Sequence, residues 1–208
     1  MVDGEEAPLG LRERKKRETR TALSWATIRL SVERGWDAVT VEDIAAEANV
    51  SVRTFRNYFS SKAEAVVARH LDRMLGAADD LRARPADEPL REAIAQVVAA
   101  RFAPESAGGG RPPRREWVDG VRLMLTEPDV QGEFLKANMI AQRELAKAIA
   151  ERTGTDVTRD VYPTLVAAVT GTAATVAIDH WMRTDGSAPV RRLLSEVFDR
   201  LWAGLPVP

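Results

Sequence analysis

The chain has 208 residues, 45% of them apolar, which is enough for one large or two small domains with buried cores. It has no cysteine, which excludes disulfides, thiolate catalysis and cysteine-ligated metals. The formal net charge of −1 hides an asymmetry, because Leu11 to Lys62 carries eleven Lys/Arg against seven Asp/Glu, about +4, and leaves about −5 for the remainder. No apolar run approaches the roughly 18 residues of a membrane span, and MVDGEEAPLG has neither the basic start nor the apolar core of a signal peptide, so a cytoplasmic protein is expected.

The basic excess gathers in LRERKKRETR, from Leu11 to Arg20, just before the first apolar stretch. A first helix is expected from about Arg14 to Arg34, with Ala22, Trp25, Ile28 and Val32 on one stripe and Gly35 as its stop. Thr40 is placed to cap a second helix, Val41 to Ala48, with Asp43 at the capping-box position. Asn49 tolerates the left-handed conformation and can close that helix, after which Ser51 can cap a third. In the third, Val52, Phe55 and Phe59 share one face while Arg53, Arg56 and Asn57 point elsewhere. Two short helices joined by about three residues make a helix-turn-helix.

Ser61-Lys62-Ala63-Glu64 is an S-x-x-E box that opens a long helix to about Ala83, ended by Pro85 and Pro89. Further helices are expected at about 89–102, 114–127, 129–152, 158–184 and 189–203. About nine helices and no sheet make the fold all-α. The segment PESAGGGRPPRRE, 104–116, reads as a flexible loop. It lacks the preceding strand and the Gly-Lys-Ser/Thr ending of a phosphate loop.

In a helix-turn-helix the second helix enters the major groove and its first residues reach base edges. Arg53 and Arg56 could each fork onto guanine and Asn57 could pair with adenine, or either could hold phosphate. Tyr58 and Lys62 suit phosphate contacts, and Thr40, Ser51 and Thr54 add short neutral donors. The arm from Arg12 to Arg20 would add salt-sensitive attraction.

From Arg14 to about Val67 the chain resembles the N-terminal domain of the TetR family of bacterial transcriptional regulators. ERGWDAVTVEDIAAEANVSVRTFRNYFSSKAEAV follows that family's glycine-aromatic turn, Thr-Val start, Ile-Ala-x-x-Ala helix, Val-Ser turn and Tyr-Phe-x-Ser-Lys exit. Asn49 stands where the family usually has glycine, and Arg56 where tyrosine is usual. The resemblance implies three parts: residues 1–11 as a disordered arm, 12–60 as the DNA-binding domain and 61–208 as a ligand-binding and dimerisation domain. It implies a homodimer on a palindromic operator, released by a small hydrophobic effector, with no cofactor. The C-terminal half also resembles, more loosely, a subgroup that senses acyl-CoA-like ligands, for which Arg111, Arg114 and Arg115 could serve an anionic head group.

For the dimer, Thr164, Ala168, Gly171, Thr175 and Ile178 form a small-residue stripe on one helix, and Val190, Leu194, Val197 and Leu201 a second stripe on the last. Phe102, Trp117, Val121, Met124, Phe134 and His180 are the candidate pocket residues, with ordinary core packing as the competing reading for each apolar one. An enzyme is disfavoured. His70 and His180 are the two histidines, Asp179 and His180 diverge as helix neighbours, and no nucleophile-base set assembles by spacing. A DNA-binding protein without an effector remains the other alternative.

Overall fold

The computed structural model describes residues 10–102, 115–184 and 189–205. Among them are nine helices and no strand. They are α1 (Leu11–Arg34), α2 (Val41–Glu47), α3 (Val52–Tyr58), α4 (Lys62–Ala83), α5 (Leu90–Arg101), α6 (Arg115–Met124), α7 (Pro128–Thr153), α8 (Val161–Arg183) and α9 (Val190–Trp202). The chain divides into two compact units, Met1–Arg69 and His70–Pro208. The glycine-rich loop expected at 104–116, with Arg111 and Arg114, lies outside the described residues up to 114. Arg115 opens α6 as an exposed residue, its Nε 3.8 Å from the Asp119 carboxylate.

In the first unit α1 packs on α2 and α2 on α3. Their shared core holds Leu23, Leu30, Val39, Ile44, Phe55 and Phe59, with Ala65 and Ala68 from the start of α4. The buried face of α1 is Leu23, Ala26, Thr27 and Leu30 with Ser24 and Ser31, which corrects the expected Ala22, Trp25, Ile28, Val32 stripe by about one position. Small hydroxyl residues hide the true face from a hydropathy reading. Thr27 satisfies its hydroxyl by donating to the Leu23 carbonyl at 2.8 Å, an ordinary way for a helix to bury threonine. Trp25 instead lies half-buried under the Arg69 guanidinium, 4.0 Å from its ring centre.

The turn chemistry follows the sequence closely. Thr40 and Asp43 make a reciprocal box: the Asp43 amide donates to the Thr40 hydroxyl at 3.1 Å, and the Thr40 amide donates to the Asp43 carboxylate at 2.9 Å. The Thr40 hydroxyl and amide hold the Asp43 carboxyl below its ordinary pKa. This stabilisation is therefore complete at neutral pH and is lost as pH falls through the depressed value. Asn49 adopts φ 54°, the left-handed conformation that the turn requires. At the start of α4 the box differs from the expected form. The Glu64 amide donates to Ser61 at 3.0 Å, whereas the Glu64 carboxylate reaches back to the amide of Ser60, at 2.7 Å.

In the second unit α8 packs on α7 and α9, α5 on α9, and α6 on α8. The core runs through Leu81, Ile94, Val98, Ile149, Leu194 and Phe198. Arg101 ties α5 to α4 with a forked bond to Asp80, at 2.6 Å and 2.5 Å, and a third to the Gly76 carbonyl at 2.9 Å. Glycine at 76 leaves the guanidinium its place, since a Cβ there would collide with the Arg101 Cζ. The expectation that no apolar run reaches membrane length is corrected at α8, the one described helix that passes by length and composition. Its alanines are buried against α7 and α9, as in the central helix of a bundle.

Phe55 and Arg56 are neighbours on α3 with opposite surroundings, the first 1% exposed and the second open to solvent. Phe55→Ala is expected to destabilise the protein by about 3–5 kcal/mol in urea titrations, and Arg56→Ala by no more than about 0.5 kcal/mol.

Candidate functional site

The seven residues of α3 make no stable helix in isolation, so their position comes from one anchored face. Phe55 fills that face, and Phe59 at the C-cap packs beside it with ring centres 5.7 Å apart. The opposite face exposes Arg53, Arg56 and Asn57. Ser51 accepts from the Thr54 amide at 3.0 Å and caps the helix, and the two hydroxyls also share a bond of 2.8 Å. A groove of about 790 Å³ runs between this helix and the first turns of α1, lined by Thr54, Asn57 and Tyr58 on one side and by Arg12, Lys15, Lys16 and Thr19 on the other. The basic arm is therefore not a remote tail. Its lysines stand beside α3, an arrangement that charge counting alone does not reveal.

Two of the expected phosphate donors have internal work. The Thr40 hydroxyl donates to Asp43 at 2.6 Å within the capping box, although it remains on the surface. The Lys62 ammonium donates to the carbonyls of Trp36 at 2.6 Å and Val39 at 3.1 Å, and sits 4.2 Å from the Trp36 ring centre. Lys62, expected as a phosphate contact, thus has a structural role as well. It pins the turn that carries the chain from α1 into α2, with one N–H left for another acceptor.

In the second unit the expected pocket residues separate. Met124 is buried in the core, while Trp117 and Val121 lie half-buried on the same helix. Phe102 is half-buried at the end of α5 with the Arg73 guanidinium 4.5 Å from its ring centre. Phe134 is half-buried on α7 and stacks on His70, at 4.2 Å between ring centres and 22° between planes. The Nε2 of His70 lies 2.7 Å from the Oδ1 of Asn138. Burial pushes the His70 pKa down, Asn138 opposes the shift, and the charge of Arg73 adds to it. Thus the histidine set among the helices is His70, and the expectation for His180 is corrected because that residue is exposed on α8. Asn138 shares a helix face with Phe134 by its spacing, but no signal in the sequence pairs it with a histidine 68 positions earlier.

The two expected dimer stripes also differ. Leu194 is fully buried in the unit's own core, and Val197 and Leu201 pack against the same core, so the α9 stripe is intramolecular. On α8, Thr164 and Thr175 are exposed, and Ala168, Gly171 and Ile178 are half-buried. Gly171 faces Gln142 of α7, where a Cβ would lie 3.1 Å from Nε2. On α8 the exposed large apolar residues are Val161, Tyr162, Leu165 and Val176, and Val161, Leu165 and Val176, 77%, 54% and 52% exposed, are interleaved with Thr164, Thr172 and Thr175.

Comparison with known proteins agrees with this architecture. Residues 25–68 match the model of bacterial regulatory proteins of the tetR family, and residues 88–206 match that of the MftR C-terminal domain. The chain is 32% identical over 185 residues to the HTH-type transcriptional regulator TcmR of Streptomyces glaucescens, covering 85% of this chain and 79% of that one. It is 29% identical over 196 residues to MftR of Mycobacterium tuberculosis, a proposed regulator of mycofactocin biosynthesis, covering 92% and 93%. In fold it is similar to FadR of Bacillus subtilis, solved with stearoyl-CoA, at TM-score 0.59 and 17% identity over 89% of this chain and 98% of that one. FadR of Bacillus halodurans aligns at TM-score 0.58 and 16% identity over 91% and 97%. These relatives are regulators and not enzymes, and the chain belongs to the TetR family of bacterial transcriptional regulators.

Proposed function

We propose that the protein is a homodimeric repressor that reads a palindromic operator with α3 and leaves it when a small hydrophobic effector binds the second unit. The observation that carries the reading is the split of α3, with Phe55 buried and Arg53, Arg56 and Asn57 presented beside a groove edged by Lys15 and Lys16. Forked arginine donors read guanine in the major groove, and a carboxamide reads adenine. Tyr58 and Thr54 at the groove, with Ser51 at the start of α3, would hold the backbone, with Lys15 and Lys16 supplying the charge.

The exposed apolar stripe of α8 supports a two-fold pairing in which this helix meets its counterpart, since Val161, Leu165 and Val176 would otherwise stay in water. Pairing would set two reading helices about one helical turn apart, near 34 Å. For the effector, half-buried Phe102, Trp117 and Phe134 offer aromatic surface within the second unit. The FadR of similar fold holds stearoyl-CoA, which makes acyl-CoA-like compounds the first to test. Release requires an effector that prefers the head spacing unfit for DNA.

Three measurements check these roles. In fluorescence anisotropy with DNA from upstream of the protein's own gene, Arg53→Ala with Arg56→Ala is expected to lower specific affinity by about 10-fold or more for each arginine–base pairing abolished, while binding to scrambled duplex falls far less. Lys15→Ala with Lys16→Ala is expected to weaken both duplexes together and to flatten the log-affinity against log-salt slope by about 1 for each phosphate left unneutralised. Leu165→Glu is expected to yield monomers in sedimentation experiments and to abolish cooperative occupation of two half-sites.

A further inference from the structure

DNA reading leaves His70 unused, yet it is the most elaborately partnered histidine of the chain. Phe134 and Asn138 lie one turn apart on α7, so that helix offers the imidazole an aromatic plate at 4.2 Å and a carboxamide oxygen at 2.7 Å. Near the pair in sequence, Ala137 and Ala141 on α7 and Met74 on α4 are buried. Arg73, one turn along α4 from His70, lies over Phe102, which brings a second aromatic ring to the same side of α4.

Desolvation is the largest influence on His70, and it favours the neutral ring at pH 7. A neutral imidazole donates through one nitrogen and accepts at the other. With Asn138 Oδ1 as acceptor, Nε2 carries the proton, and the amide nitrogen of Asn138 turns its two N–H groups away from His70. Among the described residues those two donors meet no protein acceptor. A half-buried carboxamide oriented by the imidazole, with donors that no described residue engages, suits a ligand that brings a hydrogen-bond acceptor.

We propose that Asn138, oriented by His70, is a specificity-determining anchor of the effector site and donates to a carbonyl or hydroxyl oxygen on an otherwise apolar effector. The proposal rests on the effector-gated reading above. It makes the pair a selector of oxygenated over plain hydrocarbon ligands. A ketone and the thioester carbonyl of an acyl-CoA share the chemistry, and the test separates them.

Equilibrium dialysis of the full-length protein with 2-acetylnaphthalene and 2-ethylnaphthalene compares two ligands of nearly one shape that differ by a carbonyl. Wild type is expected to hold the ketone about 3- to 10-fold tighter, the worth of one net hydrogen bond. Asn138→Leu is expected to bring the ratio to about one by weakening only the ketone. Should the leucine variant not fold, His70→Phe keeps a stacked ring, removes the group that orients Asn138, and is expected to lower the ratio too. Dodecanoyl-CoA that competes with the ketone, and weakens in Asn138→Leu, identifies a thioester carbonyl as the natural acceptor; a ketone ratio without competition identifies a ketone- or hydroxyl-bearing effector. A wild-type ratio near one, a ratio kept in Asn138→Leu, or no binding of any of the three probes overturns the proposal. Operator anisotropy read in parallel separates the two claims. Probes that release DNA without a carbonyl preference leave the gate and remove the anchor, and a carbonyl preference without release leaves the anchor and removes the gate.

Discussion

The burial of two phenylalanines, Phe55 inside a seven-residue helix and Phe59 at its C-cap, is the constraint on which the first unit's exposed helix face depends. A helix of two turns gains too little from its own hydrogen bonds to offset the cost of nucleation. Its orientation therefore comes from Phe55 and Phe59, each 1% exposed, wedged among Leu23, Leu30 and Ile44. Packing at native density permits little rotation about that anchor. The same constraint fixes which residues remain outside, so Arg53, Arg56 and Asn57 need no partners of their own to be held in a defined row.

Around the anchor, short polar contacts set the path of the chain. The capping box of Thr40 and Asp43 starts α2, left-handed Asn49 ends the turn after it, and the Ser51 hydroxyl starts α3. Lys62 closes the circuit from the far end by holding the Trp36 and Val39 carbonyls. Thr40, Ser51 and Lys62, which look like DNA contacts in the sequence, thus first serve as structural fasteners. Fastening and contact are compatible, since a hydroxyl or ammonium has more hydrogen-bonding capacity than one internal bond consumes. The division of labour is sharpest at the arginines: Arg53 and Arg56 stay exposed, whereas Arg101 and Arg152 are consumed by Asp80 and by the carbonyls of Pro85 and Glu88.

What could be read from the sequence tracks how local the physics is. The all-α class, the capping residues, the left-handed turn at Asn49 and the two faces of α3 all follow from neighbours within four positions, and the structure has each of them. Periodicity misplaces the α1 face because Ser24, Thr27 and Ser31 occupy the core, where polarity scales do not put them. Non-local pairings leave no trace. Nothing near residue 70 announces Asn138, nothing near 62 announces Trp36, and the buried state of Leu194 depends on which of two possible partners, its own unit or a second copy, an apolar stripe meets. Periodicity identifies a face but not its occupant.

The central claim is that arginines on α3 enter the major groove twice, related by a two-fold axis. Methylation interference on the DNA upstream of the gene tests it most directly, because a methyl group on guanine N7 blocks the acceptor that a forked arginine uses. The account expects interference at guanines in two symmetry-related half-sites whose centres lie roughly one helical turn apart. Binding that tolerates methylation at every guanine N7, or interference confined to a single unpaired site, would contradict it.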